Sequence, residues 1–165
     1  MAETQPDVSA TAHIPTGPTL VTAGDLHPRH YAFDPITSTP TGQSIWRITY
    51  GTELSGGLTG QTEDIEFQVI EPDGNGVIDS TGAFAGTLDK HEGGFMFRSK
   101  GVQNADGSFI LDFAIVPGTG YGKLTGVAGR YTVVATREHC HPEDTPETCL
   151  TLVSYTLMYR LPAVR

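Results

Sequence analysis

The sequence predicts a single all-β domain, most simply a small antiparallel barrel closed around an apolar interior. From residue 44 onward, apolar and polar residues alternate with a period of two in several segments. The 20 glycines and 11 prolines are spread singly along the chain, which is typical of many short strands joined by turns. No window of about 11 residues carries an apolar helical stripe free of glycine and proline.

The length of 165 residues fits one domain and is sufficient to bury a sizeable core. Residues 1–19 are rich in Pro, Thr and Ala without a period, so we expect a flexible N-terminal arm. Residues 20–165 are then a single barrel domain. Within it, residues 20–43 are expected to be an extended lead-in on the barrel surface with at most one short strand.

The predicted strands follow one another at hairpin spacing. Turn signals occur at residues 56–57, 72–76 and 106–107. Closing a sheet of about eight strands removes its edges and leaves an interior wide enough for side chains or one small ligand. A two-sheet sandwich is the alternative architecture. The alternating or apolar segments that predict strands are 46–50, 65–69, 77–88, 95–97, 109–115, 131–133 and 149–160.

The charge of the chain restricts its partners. A net charge of -9 repels nucleic acid and anionic membranes, and no segment approaches the roughly 20 apolar residues of a membrane-spanning helix. The N-terminus has neither a basic start nor an apolar core, so we expect no secretory signal and a cytoplasmic location. The expected partner is a hydrophobic small molecule, and association into a homodimer is left open.

Two stretches resemble a known family. They are Gly-Thr-Leu-Asp-Lys-His-Glu-Gly-Gly-Phe-Met-Phe at 86–97 and Val-Pro-Gly-Thr-Gly-Tyr-Gly-Lys-Leu-Thr-Gly-Val-Ala-Gly at 116–129. Together with Tyr50 to Gly56 they are similar to a functionally uncharacterised bacterial family grouped with the allene oxide cyclase barrels, over residues 46–131. The resemblance implies a closed eight-stranded meander barrel. It also implies relatives that cyclise or isomerise small reactive molecules without a metal or an organic cofactor.

The strand alternation gathers large apolar side chains on one face. They are either an ordinary packed core or the wall of a binding pocket. The predicted substrate-binding residues are Trp46, Ile48, Phe67, Phe95, Phe97, Leu111, Phe113 and Val133. Three tyrosines can polarise a carbonyl group through their hydroxyls, and the predicted catalytic residues are therefore Tyr50, Tyr131 and Tyr155.

Three carboxylates are expected on the opposite, solvated face: Asp64, Glu66 and Asp112. If a bulge reversed the orientation of the strand, Glu66 would instead be a buried base with a raised pKa.

A cysteine and histidine cluster lies in the predicted loop before the last strand. His139, Cys140, His141 and Cys149 are all residue types that bind zinc, but their spacing matches no zinc-finger pattern. We therefore expect no metal. Cys140 and Cys149 are expected either to form a loop-closing disulfide or to remain free thiols.

These observations favour a cofactor-independent cyclase or isomerase, such as a pericyclase of polyketide-type natural-product biosynthesis. Such an enzyme folds a hydrophobic substrate into a reactive shape inside the barrel and excludes water. A non-catalytic barrel that binds a hydrophobic ligand is the alternative, and a solid barrel that acts through its surface is a third hypothesis.

Overall fold

A computed structural model of the chain describes residues 15–136 and 152–163. These residues form nine β-strands and no helix. The strands are β1 Leu20–Ser38, β2 Ser44–Gly56, β3 Leu58–Ile70, β4 Gly76–Leu88, β5 His91–Gln103, β6 Phe109–Ile115, β7 Tyr121–Gly122, β8 Ala128–Thr136 and β9 Leu152–Arg160.

Eight of the strands close into one antiparallel barrel. The strand order is β4-β3-β2-β1-β9-β8-β6-β5, and pairing between β4 and β5 closes the circle. The two-residue strand β7 adds only a short ladder beside the start of β5, at Gly93 and Gly94. The predicted closed antiparallel barrel of about eight strands is confirmed, and the sandwich is excluded.

The first strand differs from the expected lead-in. Residues 20–38 form a continuous 19-residue strand that pairs with β2 along most of its length, with register shifts at Pro28/His30 and Pro35/Thr37. Two bulges allow a strand that contains proline to stay in the ladder, because proline lacks an N–H group to donate. The expectation of at most one short strand was wrong, because the prolines and exposed residues of this segment show no sequence pattern typical of a paired strand.

The segment before β1 contacts the barrel. Pro15 is buried, and the side chain of Arg160 donates a 2.8 Å hydrogen bond to the Thr19 hydroxyl. Gly17 lies so close to the carbonyl oxygen of Leu161 that a Cβ atom would stand 2.2 Å from it. Residues 15–19 of the predicted arm are therefore not free, whereas residues 1–14 lie outside the described part of the chain.

One end of the barrel, hereafter the closed end, is filled with aliphatic side chains. Leu58, Leu88 and Leu157 face inward there. The glycine-rich segment after β7 folds back beneath them and buries Leu124 and Val127. Gly122 and Gly126 take positive φ angles of 63° and 76°, which glycine adopts without strain. The glycine-rich segment thus allows the chain to fold back and fill the closed end with Leu124 and Val127.

The Tyr155 hydroxyl ties the last strand to the β2–β3 hairpin. Its oxygen accepts a 2.7 Å hydrogen bond from the backbone N–H of Leu58. The hydroxyl hydrogen faces the carbonyl oxygens of Ser55 and Leu58, at 3.1 and 3.2 Å. These contacts join residues about 100 positions apart. The hydroxyl predicted as catalytic is therefore used to hold the hairpin.

Replacing Tyr155 by Phe should destabilise the fold. The change leaves the buried Leu58 N–H without a partner, at a cost of about 1–3 kcal/mol. Urea denaturation followed by circular dichroism measures the loss. Tyr121→Phe, at an exposed tyrosine, is the control and should change the free energy of unfolding by less than about 0.5 kcal/mol. Equal stability of the two variants would contradict the assigned role.

Candidate active site

The strand register places two carboxyl groups inside the barrel. Asp64 and Glu66 of β3 are 4% and 6% exposed. In the ladders Asp64 lies between Tyr50 and Gly82, and Glu66 lies between Ile48 and Ser80. The expectation that both carboxylates lie on the outer face was wrong, and no bulge in the β2–β3 ladder is involved.

The polar wall is the inner face of β2 and β3 formed by Thr52, Thr62, Asp64, Glu66 and Gln68. Thr62 donates a 2.6 Å hydrogen bond to Asp64 Oδ2. The Thr62 hydroxyl has a single hydrogen, so Thr52, whose hydroxyl lies 2.6 Å away, must donate to Thr62. This relay fixes Oδ2 of Asp64.

The second oxygen of Asp64 has no hydrogen-bond partner. Asp64 Oδ1 is the one buried side-chain polar atom of the described residues in this state. It lies above Gly82, where a Cβ atom would stand 2.1 Å from Oδ1 and 2.7 Å from Phe97 Cζ. A buried carboxyl oxygen without a donor is costly, which favours the protonated, neutral form of this carboxyl group.

Glu66 is held by two neighbours. The amide of Gln68 donates to its carboxylate, and so does the hydroxyl of Tyr50. Below it, the hydroxyls of Ser80 and Ser99 bond to each other at 2.6 Å. Glu66 is therefore fixed from its own strand and from β2.

Burial raises the pKa values of Asp64 and Glu66. Desolvation raises the pKa of Asp64 from 3.8 to about 7, aided by the negative charges of Glu66 and Glu63 and opposed by the bond from Thr62. Desolvation also raises the pKa of Glu66, against the hydrogen bonds from Gln68 and Tyr50. A carboxyl group that titrates near neutral pH can both accept and return a proton.

An aromatic wall faces the carboxyl groups from the other side of the barrel. Strand β8 is the fourth neighbour of β3 in either direction, so Tyr131 lies opposite the polar wall. Its ring stacks on Phe113 with centroids 4.3 Å apart, and the edge of Phe97 meets Phe113 at 5.2 Å. Burial and the charge of Asp64 raise the pKa of Tyr131 well above 10, which keeps its hydroxyl protonated.

The open end is the barrel end opposite the closed end, bordered by Tyr31, Phe33, Trp46 and Tyr50. Tyr31 stacks on Tyr50 and on Phe33, with centroids 6.1 and 5.8 Å apart. Tyr31 and Phe33 are 38% and 47% exposed, although they share a face with the inward residues of β2. The indole N–H of Trp46 donates to Ser44 at 3.0 Å. Solvent thus reaches the rings at this end of the barrel, whereas the neighbouring acids Asp64 and Glu66 are buried.

Of the remaining predicted site residues, one lies on the outer face and the others are buried. Phe67 lies on the outer face and is 48% exposed, so its assignment to the interior was wrong. With Ile65 it borders an outer groove of about 690 Å³. Asp112 is exposed as expected. The residues that are buried as expected are Ile48, Phe95, Phe97, Leu111, Phe113, Tyr131 and Val133.

No group of three or more His, Cys, Asp or Glu side chains that could hold a metal ion occurs among residues 15–136 and 152–163. The predictions for His139, Cys140, His141 and Cys149 lie outside these residues.

Gly82→Ala should disturb the site and the fold together. Its Cβ would clash with Asp64 Oδ1 and with the Glu63 carbonyl oxygen, 2.1 and 2.6 Å away, so the strand or the carboxyl group must shift. We expect a loss of about 1–3 kcal/mol in thermal or urea unfolding. Ala83→Ser, on the outer face of the same strand, is the control. An unchanged stability of Gly82→Ala would show that the space above Gly82 is open.

The raised pKa of Asp64 should appear as a pH-dependent stability. Between about pH 4 and 7 the folded state binds more protons than the unfolded state, so Asp64 makes stability fall as pH rises through 7. Asp64→Asn should therefore gain up to about 4 kcal/mol relative to the parent between pH 4 and 8. The measurement is urea denaturation across this range, with Asp112→Asn as the control. A parent and Asp64→Asn difference that does not vary with pH would refute the shifted pKa.

Comparison with known proteins identifies a family without an assigned activity. The fold is similar to a crystal structure of a protein of unknown function from the DUF3224 family of Shewanella oneidensis MR-1. The TM-score is 0.64 at 17% identity, over 88% of this chain and 100% of that chain. No curated protein matches the chain. The described residues contain no helix long and apolar enough to cross a membrane. The model of the family described as protein of unknown function (DUF3224) matches residues 30–143, and the chain belongs to that family.

Proposed function

We propose that this protein is a cofactor-independent isomerase or cyclase that binds a small, largely apolar substrate at the open end of the barrel. The observation that carries the proposal is Asp64: a buried carboxyl group with a pKa of about 7 and one oxygen free of partners. Carboxyl groups tuned toward neutral pH by burial are typical of proton-transferring sites.

The chemistry that these residues support best is a proton shift next to a carbonyl group. The Asp64 carboxylate removes a proton from the carbon beside the carbonyl, and the electron pair moves onto the carbonyl oxygen. The hydroxyl of Tyr131 donates a hydrogen bond to that enolate oxygen. Asp64 then returns the proton to a different carbon, so the product is an isomer and the residue is regenerated.

The other polar groups of the site position the Asp64 carboxyl group and raise its pKa. The Thr52–Thr62 relay fixes the Asp64 carboxyl group, and Tyr50 holds Glu66. The negative charge of Glu66 raises the pKa of Asp64 and so strengthens it as a base. Rings at the open end and on the aromatic wall supply apolar contact for the substrate body. A purely pericyclic reaction needs shape but no base, so the buried acids favour isomerisation by proton transfer.

Kinship with the allene oxide cyclase barrels and a place in polyketide-type biosynthesis remain parts of this proposal. The first rests on sequence resemblance, and the second belongs to the hypothesis of a cyclase for natural products. Genes for a polyketide synthase beside this one would support the second.

A non-catalytic role has its own support. The closed end is densely packed, and Tyr155 is used structurally. A barrel of this kind can also hold a ligand without changing it. Binding of a ligand without any turnover would favour this second candidate.

Hydrogen exchange tests the proposal without knowledge of the natural substrate. Aryl ketones of naphthalene size, with and without an amino group, are incubated with the protein in D2O, and loss of the α-proton signal is followed by NMR. We expect catalysed exchange that rises through about pH 7 as Asp64 ionises. Asp64→Asn should lower the rate about 10²–10⁴-fold, and Tyr131→Phe about 10²-fold.

Asp112→Asn is the matched control, because that aspartate lies on the outer face. Its exchange rate should equal that of the parent. Exchange that is equally fast in Asp64→Asn, or absent with every ketone, counts against the catalytic role.

A further inference from the structure

Two arginines without a partner lie in the same groove on the outer face of the barrel. Five arginines occur among residues 15–136 and 152–163, and three of them bond to a neighbouring side chain. The other two, Arg98 and Arg130, form no ion pair or hydrogen bond within this part of the chain. Both line the outer groove of about 690 Å³ that Phe67 borders. In a chain with a net charge of -9, two unpaired guanidinium groups in one groove call for an explanation.

The strand register places these two arginines on either side of a small residue. Arg98 of β5 lies opposite Ala114 of β6, and Ala114 lies opposite Arg130 of β8. Neighbouring strands are about 4.8 Å apart, so the Cα atoms of the two arginines are about 10 Å apart. The methyl group of Ala114 leaves the space between them open. Because guanidinium groups bind carboxylates through paired N–H donors, an anion above Ala114 can be held from both sides.

The acidic side chains of the groove have other partners. Lys100 Nζ lies 3.8 Å from the carboxylate of Asp79. The Thr132 hydroxyl donates a 3.1 Å hydrogen bond to Asp112. With three cationic and two anionic side chains, the groove has an excess of one positive charge on an acidic protein. A ligand with one negative charge balances this excess, whereas a doubly charged phosphate ester is repelled by both carboxylates.

The end of the groove on β3 is apolar. Ile65 and Phe67 are both large side chains that are nearly half exposed. Thr81 lies opposite Ile65, and its hydroxyl already donates a 3.1 Å hydrogen bond to the carbonyl oxygen of Phe97. From Ala114 to Ile65 the groove crosses three strand spacings, or about 14 Å. That span accommodates a carboxylate joined to a body of two aromatic rings.

We propose that the outer groove binds an amphipathic monocarboxylate, with its carboxylate above Ala114 between Arg98 and Arg130. The apolar body of this ligand crosses β4 and packs against Ile65 and Phe67, which removes their exposed surface from water. The site lies on the outer face of β3 to β8, away from the buried carboxyl groups of the interior. The inference is therefore independent of the proposed catalytic function.

Four probes of similar shape and different charge test the inference. They are 4-biphenylcarboxylate, 4-biphenylmethanol, 4-biphenylmethylammonium and biphenyl-4-yl phosphate, titrated into the full chain by calorimetry at neutral pH. The carboxylate should bind at least about fivefold more tightly than the alcohol, because hydrogen bonds between charged groups are stronger than neutral ones. The ammonium probe should bind most weakly, and the phosphate no more tightly than the carboxylate. Added NaCl should weaken carboxylate binding and leave alcohol binding unchanged.

Variants and spectra locate the bound carboxylate. Arg98→Gln and Arg130→Gln should each lower its affinity about three- to tenfold and leave the alcohol within about twofold. Ala114→Leu keeps the charge but fills the space between the arginines, so it should remove the preference for the carboxylate. Arg47→Gln is the control, because Arg47 is an exposed arginine on another strand that pairs with Asp34. Circular dichroism confirms that each variant is folded, and amide NMR shifts on addition of the carboxylate should be largest in β4 to β6.

Three results would overturn the inference. The first is equal affinity for the carboxylate and the alcohol, or a preference for the carboxylate that survives in both Arg98→Gln and Arg130→Gln. The second is tighter binding of the phosphate than of the carboxylate. The third is a dimer in analytical ultracentrifugation that Phe67→Asp converts into a monomer, because a second copy of the chain would then cover the groove. Loss of ketone exchange in the catalytic assay leaves the inference intact, since that assay reports on the buried acids alone.

Discussion

The architecture depends on one short ladder. Strand β1 pairs with β9 through six residue pairs, from Leu20–Tyr159 to Asp25–Ser154, and then continues along β2 alone. Those six pairs close the barrel, because they join the first strand to the last one. Where the ladder stops, the described residues no longer bridge β1 to β9. The same ladder thus produces a sealed end and an end at which Tyr31 and Phe33 meet solvent.

The interior changes character along the barrel axis. At the closed end, Leu124 and Val127 complete an aliphatic core that is almost inaccessible to water. Toward the open end, the inner face of β3 carries Thr62, Asp64 and Glu66 instead. Apolar residues at these positions would stabilise the fold more, since burying a carboxyl group opposes folding. The presence of carboxyl groups at these positions despite that cost is typical of a functional site.

The unfavourable burial of carboxyl groups is confined to the polar wall. Thr62 donates to Asp64, Gln68 and Tyr50 donate to Glu66, and Gly82 provides the space that the Asp64 carboxyl group occupies. What is left over is a single oxygen and an uncompensated negative charge. The low polarity of the site and the raised pKa of Asp64 therefore follow from one set of contacts.

Much of this could be predicted from the alternation of residues. The inward placement of Ile48, Phe97, Phe113 and Tyr131 follows from their pattern, because polar neighbours mark the solvent side of each strand. The same rule failed on β3. On β3 the alternating apolar residues are Ile65 and Phe67, yet their side chains lie on the outer face of the barrel, beside an open groove.

The reason for that failure is the register of the hairpin. The turn after β2 is centred on Gly57, so even-numbered residues of β3 lie opposite even-numbered residues of β2. A turn centred half a residue earlier would have reversed every side chain of β3. Sequence alone predicted an antiparallel sheet of about eight strands and an aromatic interior, because these depend on local alternation and turn chemistry, whereas the long strand β1 and the choice of a barrel over a sandwich needed the structure. Only the tertiary structure decided which face of β3 is buried, since register is set by pairing between strands, and with it decided that Asp64 and Glu66 lie inside.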